Sequence, residues 1–171
     1  MKKKILPLIM LIGVSATQLS CSSKKEPDKP AVIVNPQESE LPQMALTEID
    51  GKQFSAKNLI GQKNFFILFQ PDCEHCQKEA QQISERLPAF KNYEIYFISS
   101  APLDAIKKFS EDFKMNTQKN IHFVGTDVQN IIDSYGPIPA PSIYIYSEQG
   151  KLLNKFNGEI EIDSVLKQLT Y

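Results

Sequence analysis

The sequence predicts an α/β fold in which helices flank a mixed central β-sheet. Apolar runs of strand length alternate along the chain with amphipathic segments of helical length. Two consecutive strands and a helix are the last predicted elements of the chain. Residues 65–69 are apolar on both faces, which is typical of a central strand covered on both sides. Before them, residues 45–54 alternate around Asp50-Gly51, which predicts an N-terminal β-hairpin extension.

The later elements are predicted from their apolar spacing. Pro88 is expected to stop the first helix, and Pro102 suits the first turn of the second helix. The pattern predicts helices over residues 73–87, 102–114, 128–135 and 162–169, and strands over residues 94–99, 121–124, 142–146 and 152–156.

The N-terminus has the pattern of an export signal. Three lysines precede a mostly apolar run over residues 5–14, which is shorter than the roughly 18 residues of a membrane-spanning helix. Cys21 follows Leu19-Ser20 and resembles the lipobox of bacterial lipoproteins. This resemblance implies that residues 1–20 are a lipoprotein signal peptide and that Cys21 is lipidated. The alternative is a signal peptide cut nearby, which leaves Cys21 as a free thiol.

Residues 21–42 are predicted to be a flexible tether, and residues 43–171 one folded domain. The tether is rich in Lys, Glu, Ser and Pro, and its apolar residues 31–34 are too few to offset the entropy cost of ordering. The alternative for residues 31–34 is a docking peptide. The whole chain carries 19 basic and 20 acidic side chains, without the clustered basic surface that nucleic acid would require.

Cys73 and Cys76 form a Cys-x-x-Cys pair between a buried strand and the helix predicted to follow it. Backbone N–H groups at a helix N-terminus stabilise a thiolate, which can attack a disulfide, and a second cysteine can resolve the mixed disulfide. A zinc site would need two more ligands from only two histidines. Haem attachment is excluded because Gln77 follows Cys76. An inert structural disulfide remains as an alternative.

With these motifs in this order, the chain resembles the thioredoxin superfamily and, more narrowly, the membrane-tethered TlpA/ResA-like thiol-disulfide oxidoreductases. The resemblance implies a thioredoxin-like fold, with Cys73 as the nucleophile and Cys76 as the resolving thiol. It implies no metal and no organic cofactor besides this pair. It covers roughly residues 44–169 and rests on Asp50-Gly51-Lys52, residues 65–76, Tyr135-Gly136, Pro141-Ser142-Ile143, Gly150-Lys151 and Gly158.

The resemblance also assigns roles to residues near the pair. His75 stands where oxidising and isomerising members of the superfamily have a histidine that stabilises the nucleophilic thiolate, and such stabilisation makes the disulfide more oxidising. Glu79 lies one helical turn after Cys76, where ResA-like proteins have a glutamate implicated in proton handling. The alternatives are a solvated surface histidine and an ordinary exposed helical glutamate.

Ala140 and Pro141 match the cis-proline loop of the family, which packs against the cysteines and offers backbone groups to an extended substrate peptide. A stiff connecting loop is the alternative. Asp72 replaces the tryptophan of most family members, and the chain contains no Trp. Asp72 is expected to cap the helix that carries the cysteines, where its charge would oppose His75.

The sequence therefore predicts an enzyme, a thiol-disulfide oxidoreductase that acts as a reductant or isomerase on the disulfides of exported proteins. We expect a monomer in the bacterial cell envelope, lipid-anchored to a membrane and facing the periplasm. By resemblance, a membrane thiol transporter of the DsbD kind would supply electrons. Two alternatives are a binding module that kept the fold and a thiol peroxidase, although peroxidatic cysteines typically lack an adjacent Cys-x-x-Cys partner.

Overall fold

The computed structural model describes residues 39–169. The predicted signal peptide, Cys21 and most of the predicted tether lie outside these residues. Within the described part, no helix combines the length and the apolar character that crossing a membrane requires.

A mixed sheet forms the centre of the described region, as predicted. Its strands lie in the order β2-β1-β5-β4-β3-β6-β7. The strand pairs β3–β4 and β4–β5 are parallel, and the other neighbours are antiparallel. The strands are β1 (Ala45–Glu48), β2 (Gln53–Ser55), β3 (Asn64–Leu68), β4 (Glu94–Ser99), β5 (Ile121–Gly125), β6 (Ser142–Tyr146) and β7 (Leu152–Asn157), and the helices are α1 (Glu74–Ser84), α2 (Leu103–Asp112), α3 (Val128–Tyr135) and α4 (Ile162–Leu169).

The central strand β3 is buried along its whole length, which confirms that both faces of the sheet are covered. Phe65 and Ile67 point into a core that they share with α1, α2 and α4. Phe66 and Leu68 point to the other face, where they join a second core that includes Tyr135 of α3. Alternation along one strand therefore supplies both cores, because successive strand side chains point to opposite faces.

The first helix is shorter than predicted. It ends at Ser84 rather than at residue 87, and a separate 3₁₀ turn, Leu87–Phe90, follows it. Arg86 leaves the helical conformation with φ −123° and ψ 22°, and Pro88 lies in the first turn of the 3₁₀ segment. The proline restricts the residue before it, so the interruption starts earlier than the proline itself.

The packed region begins before the predicted domain boundary at residue 43. The Leu41 N–H donates to the Gly150 carbonyl (2.9 Å), and the Leu41 side chain is only 5% exposed. Gly150 has φ +75°, and a Cβ there would meet Leu41 Cδ1 at 3.2 Å. Glu40 also bridges to Lys151. The residues from Ser39 onward are thus part of the fold, and the predicted tether is too long at its C-terminal end.

The topology brings three loops to one end of the sheet, namely the loops that follow β3 and β4 and the loop that precedes β6. The parallel strands β3 and β4 end there, and antiparallel β6 starts there, since Leu68 pairs with Ser142. The loop before α1 follows β3, and the loop that contains Pro141 precedes β6. The two cysteines and the proline loop are therefore neighbours because of strand order alone.

Candidate active site

Cys73 is the N-cap residue of α1. Its backbone is extended (φ −84°, ψ 115°), and its sulfur accepts a hydrogen bond from the Cys76 backbone N–H at 3.3 Å. Both thiols are free. The N-terminus of a helix carries a partial positive charge and unpaired N–H groups, which favour negative charge on an atom placed there. The sulfur of Cys73 occupies that place.

The expectation that Asp72 caps the helix is wrong, because Cys73 itself is the cap. The chain turns tightly before α1, and the Cys73 N–H donates to the Gln70 carbonyl at 3.2 Å. This turn brings Cys73 to the cap position and leaves Asp72 exposed. As the cap, Cys73 accepts the N–H of Cys76, three residues later, whereas a cap at Asp72 would have accepted from Glu74 or His75.

Cys76 differs sharply from Cys73 in its surroundings. Its side chain is 2% exposed and belongs to the core beneath α1. Burial raises the pKa of the Cys76 thiol well above its usual range, and its hydrogen bond with Cys73 and the charge of Glu79 act in the same direction. At neutral pH, Cys76 is therefore a neutral thiol that needs a base before it can react.

Glu79 is buried on the same helix, one turn after Cys76. It is 1% exposed, and neither carboxyl oxygen has a hydrogen-bond partner among the described residues. Burial, and then the negative charge of Glu159, raise the pKa of Glu79 to about 8. A carboxyl group that titrates near neutral pH is suited to exchanging a proton with a nearby thiol. The exposed helical glutamate considered as the alternative is excluded.

His75 lies on the surface, with 59% of its side chain exposed, and its Nδ1 pairs with the carboxylate of Glu159. Lys78 Nζ lies 3.9 Å from the other oxygen of Glu159. Sequence reasoning missed Glu159, which is 84 residues from His75 and follows β7 without a motif of its own. The role of His75 in stabilising the Cys73 thiolate stays a prediction. Any such effect acts together with the negative charge of Glu159, which pairs with His75.

The loop before β6 has the predicted form, since the Ala140–Pro141 peptide bond is cis. The Cys73 thiol donates to the Ala140 carbonyl at 3.7 Å. The Gly158 N–H donates to the Pro141 carbonyl at 2.9 Å, and Ser142 Oγ donates to the Pro139 carbonyl at 2.7 Å. The first of these bonds joins the loop to Cys73, and the other two hold the backbone of the loop in place. Its predicted part in binding a substrate backbone is untested by these contacts.

Gln70 is a second residue that the sequence did not single out. Its Nε2 donates to Ser100 Oγ (3.0 Å), and its Oε1 accepts from Ser99 Oγ (3.3 Å). These bonds tie the loop before α1 to the end of β4. The sequence does show a polar residue directly after an apolar strand. It does not show the partners of that residue, Ser99 and Ser100, which lie some thirty residues away.

The arrangement is suited to chemistry at sulfur. One partly exposed thiol lies at a helix N-terminus, and one buried thiol lies beside it. The charge of a buried carboxyl group, Glu79, acts on the buried thiol. Across residues 39–169, no group of three or more His, Cys, Asp and Glu side chains is placed to hold a metal ion.

Comparison with known proteins identifies the family. The sequence pattern of the AhpC/TSA family matches residues 38–155, which is well over half of the chain. The chain belongs to the AhpC/TSA family. A curated relative, the thiol-disulfide oxidoreductase ResA of Bacillus thuringiensis subsp. konkukian (strain 97-27), is 27% identical over 137 residues, covering 77% of each chain.

Solved structures similar to this AhpC/TSA family member share its fold. A secreted Mycobacterium tuberculosis disulfide oxidoreductase homologous to E. coli DsbE superimposes with a TM-score of 0.63 at 19% identity, over 75% of this chain and 95% of that one. The thioredoxin domain of a thiol-disulfide oxidoreductase from Bacteroides vulgatus gives 0.64 at 21% identity, over 78% and 94%. The predicted thioredoxin-like fold is confirmed.

The burial of Glu79 predicts a pH-dependent stability. Its pKa is about 8 in the folded chain against an ordinary value of 4.5, so the folded state binds more protons between these values. The contribution of Glu79 to the free energy of unfolding is then largest below about pH 4.5 and is lost as the pH rises through 8, a fall of roughly 2–5 kcal/mol. Glu79→Gln should remove most of that fall.

The measurement is urea unfolding of the reduced protein at pH 5, 7 and 9. Glu74→Gln is the matched control, since it removes an exposed carboxylate from the same helix. We expect the stability of Glu79→Gln relative to wild type to increase from pH 5 to pH 9, and that of Glu74→Gln to stay constant. Parallel pH profiles for wild type and Glu79→Gln would contradict the assignment.

Proposed function

We propose that this protein is an exported thiol-disulfide oxidoreductase that exchanges electrons with disulfides of other exported proteins. The observation that carries the proposal is the bond from the Cys76 N–H to the Cys73 sulfur at the start of α1. It places one sulfur at the helix N-terminus and holds the second cysteine within the same turn. The ResA relatives, which are named thiol-disulfide oxidoreductases, support this activity.

In the first step, the Cys73 thiolate attacks one sulfur of a substrate disulfide. A bond forms between Cys73 Sγ and that sulfur, the substrate S–S bond breaks, and the other substrate sulfur leaves as a thiolate. Cys73 carries this step because its sulfur is partly exposed, whereas Cys76 is buried. The helix N-terminus stabilises the negative charge before the attack.

In the second step, Cys76 resolves the mixed disulfide. The Cys76 thiol gives its proton to the ionised form of Glu79, and its sulfur attacks Cys73 Sγ. The Cys73–Cys76 disulfide forms, and the bound substrate sulfur leaves as a thiolate that takes up a proton. Two electrons have passed to the substrate. Glu79 supports this role because burial holds its pKa at about 8 and leaves both oxygens free of other partners in the described region.

The cellular setting of the proposal rests on the N-terminal sequence. Residues 1–20 act as the signal peptide, Cys21 carries the lipid anchor, and the domain faces the periplasm on the tether that follows. A reductant in that oxidising compartment needs an electron source, for which a DsbD-like membrane protein is suited. The redox pair itself carries the electrons, so the reaction requires no further cofactor, and a monomer suffices.

The order of the two steps can be tested by trapping. Cys76→Ser should accumulate a mixed disulfide between Cys73 and a disulfide-containing substrate, because the resolving thiol is missing. Non-reducing electrophoresis and mass spectrometry measure the adduct. Cys73→Ser should form none, and turnover in both variants should fall by a factor of about 100 or more.

Cys73→Ser is the matched control because it retains Cys21 and Cys76, so an adduct at either appears there too. Trapping through Cys73→Ser and not through Cys76→Ser would reverse the assigned roles. If the wild-type protein reduces no disulfide but consumes hydrogen peroxide, the thiol peroxidase alternative replaces the proposal.

The direction of electron flow is set by the reduction potential of the Cys73/Cys76 couple. Equilibration with dithiothreitol or glutathione buffers measures it. For a reductant we expect a value near or below about −250 mV, and a value above roughly −180 mV would indicate an isomerase or oxidase. A rise in the measured preference for the disulfide form in His75→Ala would show that His75 stabilises the thiolate.

The lipid anchor predicts the location of the chain. Cys21→Ser, expressed in a bacterium that processes lipoproteins, should move the protein from the membrane fraction to the soluble fraction, because the acyl chains are lost. Cys73→Ser is the control and should stay in the membrane fraction. A wild-type protein found only in the soluble fraction would contradict lipidation.

A further inference from the structure

Polar side chains along one face of α1 bind the chain segment that leads from β7 into α4. Positions 75, 78, 82 and 86 are three or four residues apart, so they form one stripe along the helix. Each of them contacts a residue between positions 159 and 163. The contacts are His75–Glu159, Lys78–Glu159, Gln82–Ile162 and Arg86–Asp163. The start of α4 is thus joined to the helix that carries both cysteines.

The backbone on both sides of Glu159 is held by bonds that do not involve its carboxylate. Before it, the Gly158 N–H donates to the Pro141 carbonyl at 2.9 Å. After it, the Ile162 N–H donates to Gln82 Oε1 at 2.9 Å. The segment is therefore positioned without the Glu159 side chain, and replacing that side chain leaves these two bonds in place.

The Glu159 carboxylate places a negative charge at the first turn of α1. It pairs with His75 Nδ1, and Lys78 Nζ lies 3.9 Å from its other oxygen. Two further carboxylates, Glu74 and Glu161, line the same surface cleft. A protonated His75 without a partner would add positive charge to the helix N-terminus, which stabilises the Cys73 thiolate and favours the dithiol form. The pairing with Glu159 offsets that charge.

We propose that Glu159 is a positioning residue that holds the His75 ring, offsets its charge and so keeps the Cys73/Cys76 couple more reducing than an unpaired His75 would. The proposal rests on the proposed function and adds a residue that sets the direction of exchange. Loss of the carboxylate can release at most one proton from His75. The net charge of the pair then increases or stays the same, so the dithiol form is favoured without Glu159.

The test is the equilibrium of the full chain with glutathione at pH 6. Two glutathione thiols give two electrons to the Cys73–Cys76 disulfide, which becomes two thiols, and glutathione disulfide forms. Alkylation followed by mass spectrometry of the peptide with both cysteines measures the reduced fraction. At this pH an unpaired histidine is mostly protonated, and Glu79 carries little charge because its pKa is about 8.

We expect Glu159→Gln to shift the equilibrium constant about 5-fold toward the dithiol form, which equals a rise of about 20 mV in the reduction potential. Asp163→Asn is the matched control. It removes an ion pair between the same two parts of the chain, at Arg86, near the other end of α1. It should change the constant by less than about twofold.

A double-variant cycle tests the route through His75. Without His75, Glu159 retains Lys78 as a partner, one helical turn farther along α1. In the His75→Ala background, Glu159→Gln should therefore shift the constant by less than about twofold. Unfolding midpoints establish that all variants are folded. Should Glu159→Gln be unstable, Glu159→Asp, which draws the carboxylate back from His75, should shift the constant in the same direction by a smaller factor.

Two results would overturn the inference. A shift of equal size with and without His75 would show that the carboxylate acts on Cys73 directly. No shift, or a shift toward the disulfide form, would show that the pair does not keep the couple reducing. Either result leaves the oxidoreductase activity intact. A wild-type chain that does not exchange with glutathione at all would instead contradict the proposed function.

Discussion

The site depends on the hydrogen bond that starts α1, from the Cys76 N–H to the Cys73 sulfur. This single contact fixes where the helix begins, which cysteine faces solvent and which is buried. A helix that began one residue earlier or later would turn the second cysteine away from the core by about 100°, because successive residues rotate by that angle. The Cys73 sulfur thus caps the helix and, at the same place, is where the helix N-terminus favours negative charge.

Burial then distinguishes the Cys76 thiol from the partly exposed Cys73 thiol. The core that holds Ile83 and Phe90 also encloses Cys76 and Glu79, so both ionisable groups are held in their neutral forms at moderate pH. A buried carboxyl without a hydrogen-bond partner costs folding free energy, and such a cost persists at sites where function requires it. The proposed proton transfer gives Glu79 that function: it can accept a proton only because burial has raised its proton affinity.

The sequence predicted most of the fold because periodicity is local. Residues 94–99, 128–135 and 142–146 have the structure that their patterns indicate, and the strand before Cys73 is central because it is apolar on both faces. The cap was predicted wrongly, since Asp and Cys are adjacent and only the turn at Gln70 decides between them. Glu159 could not be predicted, because a contact across 84 residues leaves no local pattern.

Glu159 connects the surface of the site with its interior. Its carboxylate pairs with His75 and lies near Lys78 on the outside, while its negative charge raises the pKa of the buried Glu79. Removing a surface cation would leave that negative charge less compensated, and the proton on Glu79 would be held more tightly. His75 is thus linked to Cys76 through Glu159 and Glu79, by a path that does not pass through Cys73. The Cys-x-x-Cys motif alone therefore does not determine the effect of His75, because Glu159 connects this residue with the buried Glu79.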